Sequence, residues 1–102
     1  MKTETHNIEF KRTWKDEYLE WICGYANAAG GVLYIGRDDD GTAVGVAKAK
    51  SLMESIPCKI TDTMGIIADV NLRRESGKDV IEIKVDKYPS LISYHGKYFY
   101  RS

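Results

Sequence analysis

The sequence predicts an α+β domain with a mixed, mainly antiparallel β-sheet and two helical segments, in the order β-α-β-β-α-β-β-β-β. Three observations predict this class. Apolar residues recur every three or four positions in two segments, which is typical of helices that bury one face. Elsewhere apolar and polar residues alternate, which is typical of strands with one covered face. Glycine and aspartate separate these segments, and both favour tight turns.

The first two elements are a strand and a helix. Residues Asn7–Arg12 alternate between apolar and polar side chains, which indicates a strand. Thr13 is placed as a helix N-cap, and Asp16 three residues later is placed to complete a capping box. The helix then covers about Lys15–Ala28, and Gly30 supplies the left-handed residue that commonly ends a helix.

The middle of the chain predicts a hairpin and a second helix. Val32–Ile35 is an uninterrupted apolar run, which suits a central strand covered on both faces. The turn-rich segment Gly36–Gly41 follows, and Ala43–Val46 is predicted to return antiparallel as the second arm. Apolar residues then recur every four positions over Lys48–Met64, with Pro57 inside the pattern. Because proline removes a helical hydrogen bond, we expect a kink or two short helices there.

Strands dominate the last third of the sequence. Ile66–Arg74 and Val80–Lys87 alternate clearly, so they predict a strand pair with one buried and one wet face, joined by a turn over residues 75–79. A final hairpin is predicted over Leu91–Arg101, with its turn at His95 and the glycine that follows it.

Composition excludes several classes of protein. The chain has 102 residues with 15 Lys and Arg against 15 Asp and Glu, so the net charge is zero and no globally basic surface argues for nucleic acid. The polar N-terminus predicts no signal peptide, and no apolar run approaches the about 20 residues of a membrane span, so we expect a cytoplasmic protein with no membrane partner. Cys23 and Cys58 lack CxxC spacing, and His6 and His95 are isolated, so we expect no zinc site.

The end of the chain bears on domain organisation. Residues 1–102 form one predicted domain, and the sequence stops at Ser102, directly after an aromatic strand. Natural boundaries more often lie in polar linkers. We therefore expect an N-terminal module of a longer protein, with regulatory domains following it.

Three stretches of the sequence are similar to a known family: Glu4–Lys11, Tyr25–Gly45 and Lys97–Ser102. Together they resemble the Schlafen AlbA-type domain, which is often found at the N-terminus of bacterial transcriptional regulators. The resemblance implies an α+β fold, a cytoplasmic location and binding of DNA or RNA. No GxxxxGK[ST] loop is present, so we expect no ATP site and no required cofactor.

Clustered cations are the candidate contacts to nucleic acid, because phosphates need positive charge on one surface. The candidates are Lys11, Arg12, Lys15, Arg37, Arg73, Arg74, Lys97 and Arg101. Three tyrosines alternate near the end of the chain, at Tyr94, Tyr98 and Tyr100. They are expected to cover a sheet edge or to pack at an interface, and base stacking is the other interpretation. A homodimer through this edge or a helix face is a further expectation.

A carboxylate trio is the candidate catalytic and metal site. In eukaryotic Schlafen proteins an acidic trio supports metal-dependent RNA cleavage, and the resemblance places Glu4, Glu9 and Asp38 in that role. Lys11 shares a strand face with Glu9, so it is placed to hold the scissile phosphate. Carboxylates are hard ligands for Mg²⁺ or Mn²⁺. The alternative is that the aspartates at 38–40 simply form a polar turn, and that Glu4 and Glu9 point to opposite faces.

Three functions remain open at this point. The resemblance favours a nucleic-acid-binding module without catalysis. The trio favours a metal-dependent ribonuclease, and the zero net charge favours a protein-interaction or dimerisation module without nucleic acid. Asn27, near the end of the first helix, is interpreted as a local helix cap.

Overall fold

The computed structural model describes residues 7–100. Its helices and strands are β1 (Ile8–Lys11), α1 (Leu19–Asn27), β2 (Gly31–Ile35), α2 (Ala49–Met64), β3 (Asp69–Glu75), β4 (Lys78–Val85), β5 (Ser93–Tyr94) and β6 (Lys97–Tyr98). One 3₁₀ turn, Asp16–Tyr18, leads into α1.

The main sheet has four strands in the order β1-β2-β4-β3. Strands β1 and β2 run parallel, with α1 as the connection between them, and the other two pairs are antiparallel. Both helices pack on one face of this sheet. Leu33 and Ile83 from the sheet meet Ile22 of α1 and Ile56 and Ile60 of α2 in a fully buried core. The α+β class with a mixed, mainly antiparallel sheet is therefore confirmed.

The start of the first helix differs from the prediction. Lys15, and not Thr13, precedes the first helical turn, and no side chain caps the 3₁₀ turn or α1. Asp16 is not part of a capping box, because its carboxylate instead accepts hydrogen bonds from Trp14 Nε1 at 2.8 Å and from Lys59 Nζ at 2.7 Å. A tertiary partner on α2 thus replaces the local capping bond.

The strand predicted over Ala43–Val46 does not form. A single bridge joins Arg37 to Ala43, and the chain then leaves the hairpin. The amides of Val44 and Gly45 both donate to Gly36 O, and Val46 N donates to Asp79 O at 3.0 Å. The segment therefore forms a loop against the start of β4, and its glycines with positive φ permit the bends.

Helix α2 is one continuous helix of 16 residues that contains Pro57, so the expected division into two helices is wrong. Proline in a helix interior costs about 3 kcal/mol. Ile56 and Ile60 lie on either side of it, and both are fully buried. Burial of two such side chains contributes about the same amount, which explains why the helix persists through the proline.

The hairpin between β3 and β4 turns more tightly than predicted. Strands β3 and β4 are joined by Ser76 and Gly77 alone, and both residues have positive φ. The final hairpin turns at His95 and Gly96, as predicted, also with positive φ at both positions. Two left-handed central residues match the twist of antiparallel strands. The strands β5 and β6 form a separate two-stranded sheet, much shorter than the predicted one.

The sheet face opposite the helices is less exposed to solvent than predicted. Phe10, Tyr34 and Val80 form a second, small buried cluster on this face. Beside them Glu82 is 3% exposed and accepts hydrogen bonds from Tyr34 Oη and from Arg73. Burial raises the pKa of Glu82, but these hydrogen bonds outweigh it and hold the pKa below its usual value.

Asn27 fastens the final hairpin to α1 and does not cap its own helix. Its Nδ2 donates to Ile92 O at 2.7 Å and to Phe99 O at 2.9 Å, and its Oδ1 accepts from Ile92 N at 2.6 Å. Cys23 Sγ, one turn earlier, also donates to Ile92 O. Burial raises the pKa of this thiol, so Cys23 is an inert core residue, whereas Cys58 is exposed.

Candidate functional site

Two of the predicted cations lie at the end of β1, in different surroundings. Lys11 is half-buried, and its Nζ lies 4.4 Å from the ring centre of Trp21 and 5.4 Å from that of Tyr18. Arg12 is exposed and reaches across to Asp38, donating from Nε at 3.3 Å and from Nη2 at 3.2 Å. The Arg12 guanidinium lowers the pKa of Asp38. Lys11 is thus held by aromatic rings, and Arg12 is held by an exposed ion pair.

An open cleft follows directly after these cations. It has a volume of about 280 Å³ and lies between the segment Thr13–Trp14 and the start of α2. Its other lining residues are Val46, Ala47, Lys48, Ser51 and Leu52. We call this feature the Trp14 cleft. The lining combines apolar side chains with the hydroxyl groups of Thr13 and Ser51 and the ammonium group of Lys48.

The indole of Trp14 is held in place. Its Nε1 donates to Asp16, whose carboxylate also binds Lys59 of α2, and its ring meets Tyr18 edge-on at 6.0 Å. Lys59 and Trp14 together lower the pKa of Asp16, so this carboxylate stays ionised and keeps both partners. The wall of the Trp14 cleft is therefore ordered before any ligand arrives.

Lys48 is the functional candidate that sequence reasoning missed. It is exposed, has a left-handed backbone with φ of 57°, and precedes the first residue of α2. The start of a helix carries partial positive charge, so Lys48 adds to a favourable potential for anions. The run Ala47–Lys50, with two lysines at the start of a helix, was the available signal. It could be connected to Thr13 and Trp14 only once the fold was known.

Arg37 has a different position from the other candidates. Its guanidinium binds both carboxylate oxygens of Glu75, donates to Gly41 O at 2.9 Å, and lies 4.7 Å from the ring centre of Tyr34. Its side chain is only 11% exposed. Arg37 therefore fixes the loop after β2 against the β3–β4 hairpin, and this role competes with phosphate binding.

The remaining predicted cations do not join the Trp14 cleft. Arg73 binds Glu82 and Arg74 binds Asp79, both on the β3–β4 hairpin. Strand β3 lies three positions from β1 in the sheet, or roughly 14 Å at about 4.8 Å per step. Lys97 is exposed in β6, and Arg101 lies outside the described residues. Tyr94 is buried against α1, while Tyr98 and Tyr100 are exposed.

The predicted carboxylate trio is only partly described, because Glu4 lies outside residues 7–100. Glu9 is in register with Leu33, so it lies on the helix-covered face of β1 together with Lys11. Asp38 lies in the loop after β2, bound to Arg12. Among the described residues no three His, Cys, Asp or Glu side chains are grouped closely enough to hold a metal ion. The trio therefore stays a prediction, because Glu4 lies outside the described residues.

The loop that contains Asp38 has the hydrogen bonds of a polar turn. Asp38 Oδ1 accepts from Asp39 N at 3.0 Å, and Asp40 Oδ1 accepts from Thr42 N at 2.9 Å. The bond from Thr42 lowers the pKa of Asp40. These short local bonds explain why three consecutive aspartates are tolerated there.

One known protein family matches almost the whole length of the chain. Residues 4–102 match the family described as Schlafen, AlbA_2. The chain belongs to this family. No curated protein sequence matches it at a significant level. None of the helices within residues 7–100 is long and apolar enough to cross a membrane.

Two solved structures share the fold. The N-terminal domain of a Nitrosomonas europaea protein, described as related to the ATP-dependent DNA helicase RecG, aligns with a TM-score of 0.75 at 20% identity. That alignment covers 96% of this chain and 78% of the other. The DIP2311 protein from Corynebacterium diphtheriae aligns with a TM-score of 0.69 at 20% identity. It covers 92% of this chain, which spans only 20% of the Corynebacterium chain. Both alignments concern the fold.

Proposed function

We propose that this domain binds nucleic acid at the Trp14 cleft, as the DNA- or RNA-contacting module of a bacterial transcriptional regulator. One observation carries the proposal. Lys48, from the start of α2, lines the same cleft as Thr13 and Trp14, and two further exposed cations, Arg12 and Lys15, flank Thr13 and Trp14 in the sequence. Catalysis is not part of this proposal.

The chemistry of the cleft suits a nucleotide. Its exposed cations can contact backbone phosphates, and a partly exposed indole offers a face on which a base can stack. The hydroxyls of Thr13 and Ser51 lie beside it and can hydrogen-bond to phosphate or sugar. The zero net charge of the chain means that the attraction is local, so we expect moderate affinity that falls steeply with salt.

The comparisons support the proposal from another direction. The family resemblance implies nucleic-acid binding, and one structural relative is described as related to a DNA helicase. Nothing in the site requires a nucleotide triphosphate, and the domain is expected to act with regulatory domains that follow it in the full protein.

The test is a fluorescence anisotropy titration with labelled single-stranded DNA, duplex DNA and RNA, each at two salt concentrations. The double variant Lys15→Ala/Lys48→Ala removes two exposed cations beside the cleft. We expect about tenfold weaker binding, and a salt dependence reduced by about one unit of slope for each lysine removed. The control is Lys84→Ala/Lys87→Ala, which makes the same charge change at two exposed lysines outside the cleft.

Three outcomes contradict the proposal. The cleft variant binds like the wild type, or both double variants lose affinity equally, or the wild type binds nothing at low salt. The last result favours a protein-interaction module. Addition of Mn²⁺ to the RNA titration tests catalysis separately. Divalent-dependent cleavage that Glu4→Ala and Asp38→Ala abolish would establish the metal-dependent ribonuclease instead.

A further inference from the structure

Within residues 7–100, strand β3 forms the longest open edge of the sheet. It contains seven residues, and among the described strands it pairs only with β4. Its outward side therefore presents unpaired backbone amides and carbonyls, which readily pair with another strand. This edge is also partly apolar, because Leu72 in β3 is 42% exposed and Ile67, just before the strand, is 79% exposed.

We propose that β3 is a homodimer interface, in which a second copy of the chain pairs antiparallel with β3 about a two-fold axis at Asn71. A two-fold axis perpendicular to the sheet places one central residue opposite itself, and every other residue opposite the one equally far on the other side. The four-stranded sheets of both copies would then form one continuous sheet. The helices of both copies would cover the same face of it.

The register at Asn71 is self-complementary. It places Asp69 opposite Arg73 of the second copy, and Val70 opposite Leu72 of the second copy. Symmetry repeats each contact, so the interface gains two ion pairs on the open face and two apolar pairs on the helix-covered face. Directly opposed side chains of this kind stabilise an antiparallel pair.

Neighbouring registers are less favourable. An axis at Leu72 places Asp69 opposite Glu75, which brings like charges together twice. An axis at Arg73 places this arginine opposite itself and Leu72 opposite Arg74. Charge alone therefore selects Asn71 over the registers on its C-terminal side.

The side chains at the proposed interface are available for it. Asp69 is exposed, and Arg73 is half-exposed with its guanidinium held by Glu82 through Nε and Nη2. Nη1 remains free of hydrogen bonds within residues 7–100, so it can donate to Asp69 of the second copy. Glu82 thus orders the arginine before the dimer forms, which reduces the entropy lost on association.

This edge is distinct from the proposed nucleic-acid site. The Trp14 cleft follows β1, which lies at the opposite edge of the sheet from β3. Dimerisation and nucleic-acid binding can therefore be tested, and can fail, independently of each other.

The experiment is oxidative crosslinking of chains with one exposed cysteine, in which Cys58→Ser first removes the exposed native thiol and Cys23 stays buried in the core. Asn71→Cys places two thiols beside the two-fold axis, where opposed Cα atoms of an antiparallel pair lie about 4.5–5.5 Å apart, a separation that a disulfide spans. Arg74→Cys is the matched control, because Arg74 is exposed and takes no part in the proposed ion pairs, while its own counterpart lies six residues away along the partner strand. Far-UV circular dichroism confirms that both variants fold.

The expected result is a disulfide-linked dimer for Asn71→Cys and little crosslinking for Arg74→Cys. In sedimentation experiments without cysteine substitutions, Asp69→Arg should weaken the dimer at least about tenfold, since both ion pairs become repulsive. The proposal is overturned if Asn71→Cys crosslinks no faster than the control. It is also overturned if the wild-type chain sediments as a monomer at millimolar concentration.

Discussion

Asn27 is the residue whose loss should most directly reveal how the C-terminal hairpin is held. Its side-chain amide makes three hydrogen bonds to the backbone of Ile92 and Phe99, and Ile92 leads into a hairpin whose Tyr94 is only 8% exposed. In Asn27→Ala all three bonds disappear at once. The freed carbonyls and amide are only partly buried, so water can replace part of the loss.

The magnitude follows from these contacts. A hydrogen bond contributes about 1 kcal/mol net, so three bonds contribute about 3 kcal/mol, and partial access of water reduces this to about 2–3 kcal/mol. For a domain of this size, each kcal/mol shifts the melting temperature by about 4–8 °C. We therefore expect Asn27→Ala to melt about 8–24 °C below the wild type. Because the hairpin covers the core, its detachment exposes apolar surface as well.

The assay combines thermal unfolding, followed by circular dichroism, with amide hydrogen exchange. Exchange should accelerate most at Ile92, whose amide donates to Asn27 Oδ1. Ser93→Ala is the control, because it removes an exposed hydroxyl from the same hairpin. The reasoning is refuted if Asn27→Ala and Ser93→Ala melt within a few degrees of each other and Ile92 remains protected.

Two further predictions concern the sheet. Glu82→Gln removes the charge that Arg73 binds. Because the pKa of Glu82 is lower in the folded protein, its ionised form stabilises the fold, and this stabilisation is fully present above about pH 4.3, the pKa of a glutamate in the unfolded chain. The stability difference between Glu82→Gln and the wild type should therefore shrink as the pH falls through the folded pKa; a difference independent of pH between 7 and 2 would contradict this. At Gly30, φ is +81° and an added Cβ would lie 2.7 Å from Val85 O, whereas Gly77, at φ +75°, has open space around it. In urea titrations Gly77→Ala should lose about 1 kcal/mol and Gly30→Ala clearly more, and equal losses would show that the close approach has no energetic effect.

Much of the fold was predictable because it depends on local periodicity. Ile81, Ile83 and Val85 alternate along β4 and all lie in the core, as the pattern indicated. The turn at His95 was also predictable, because glycine follows it and a left-handed pair suits a tight hairpin. Patterns of this kind report backbone geometry and the buried face, and both are properties of neighbouring residues.

The errors concern residues whose environment depends on distant segments. The pattern over Ala43–Val46 satisfied the rules for a strand, but its amides found partners in Gly36 and Asp79. Pro57 satisfied the rule for a helix break, yet packing on both sides of it kept α2 continuous. In both cases tertiary contacts outweighed a local preference of similar size.

The candidate site, too, was predictable from the sequence only in part. The cations after β1 were found from the sequence because they are adjacent to one another in it. Lys48 was not, because it joins them only when the start of α2 packs beside Trp14. The sequence also predicted Arg37 as a contact to nucleic acid, whereas the structure pairs it with Glu75, which lies 38 residues further along the chain.

The sequence by itself thus determined the secondary-structure class, the positions of the tight turns and the family, because each of these is written in short stretches of residues. Only the tertiary structure decided which charges are neutralised, what Asn27 binds and which strand is left open at the edge of the sheet. The physical reason is that a polar side chain acts through its partner. The partners of Asn27 and Arg37, and the residues that line the cleft with Lys48, come from parts of the chain that meet only after folding.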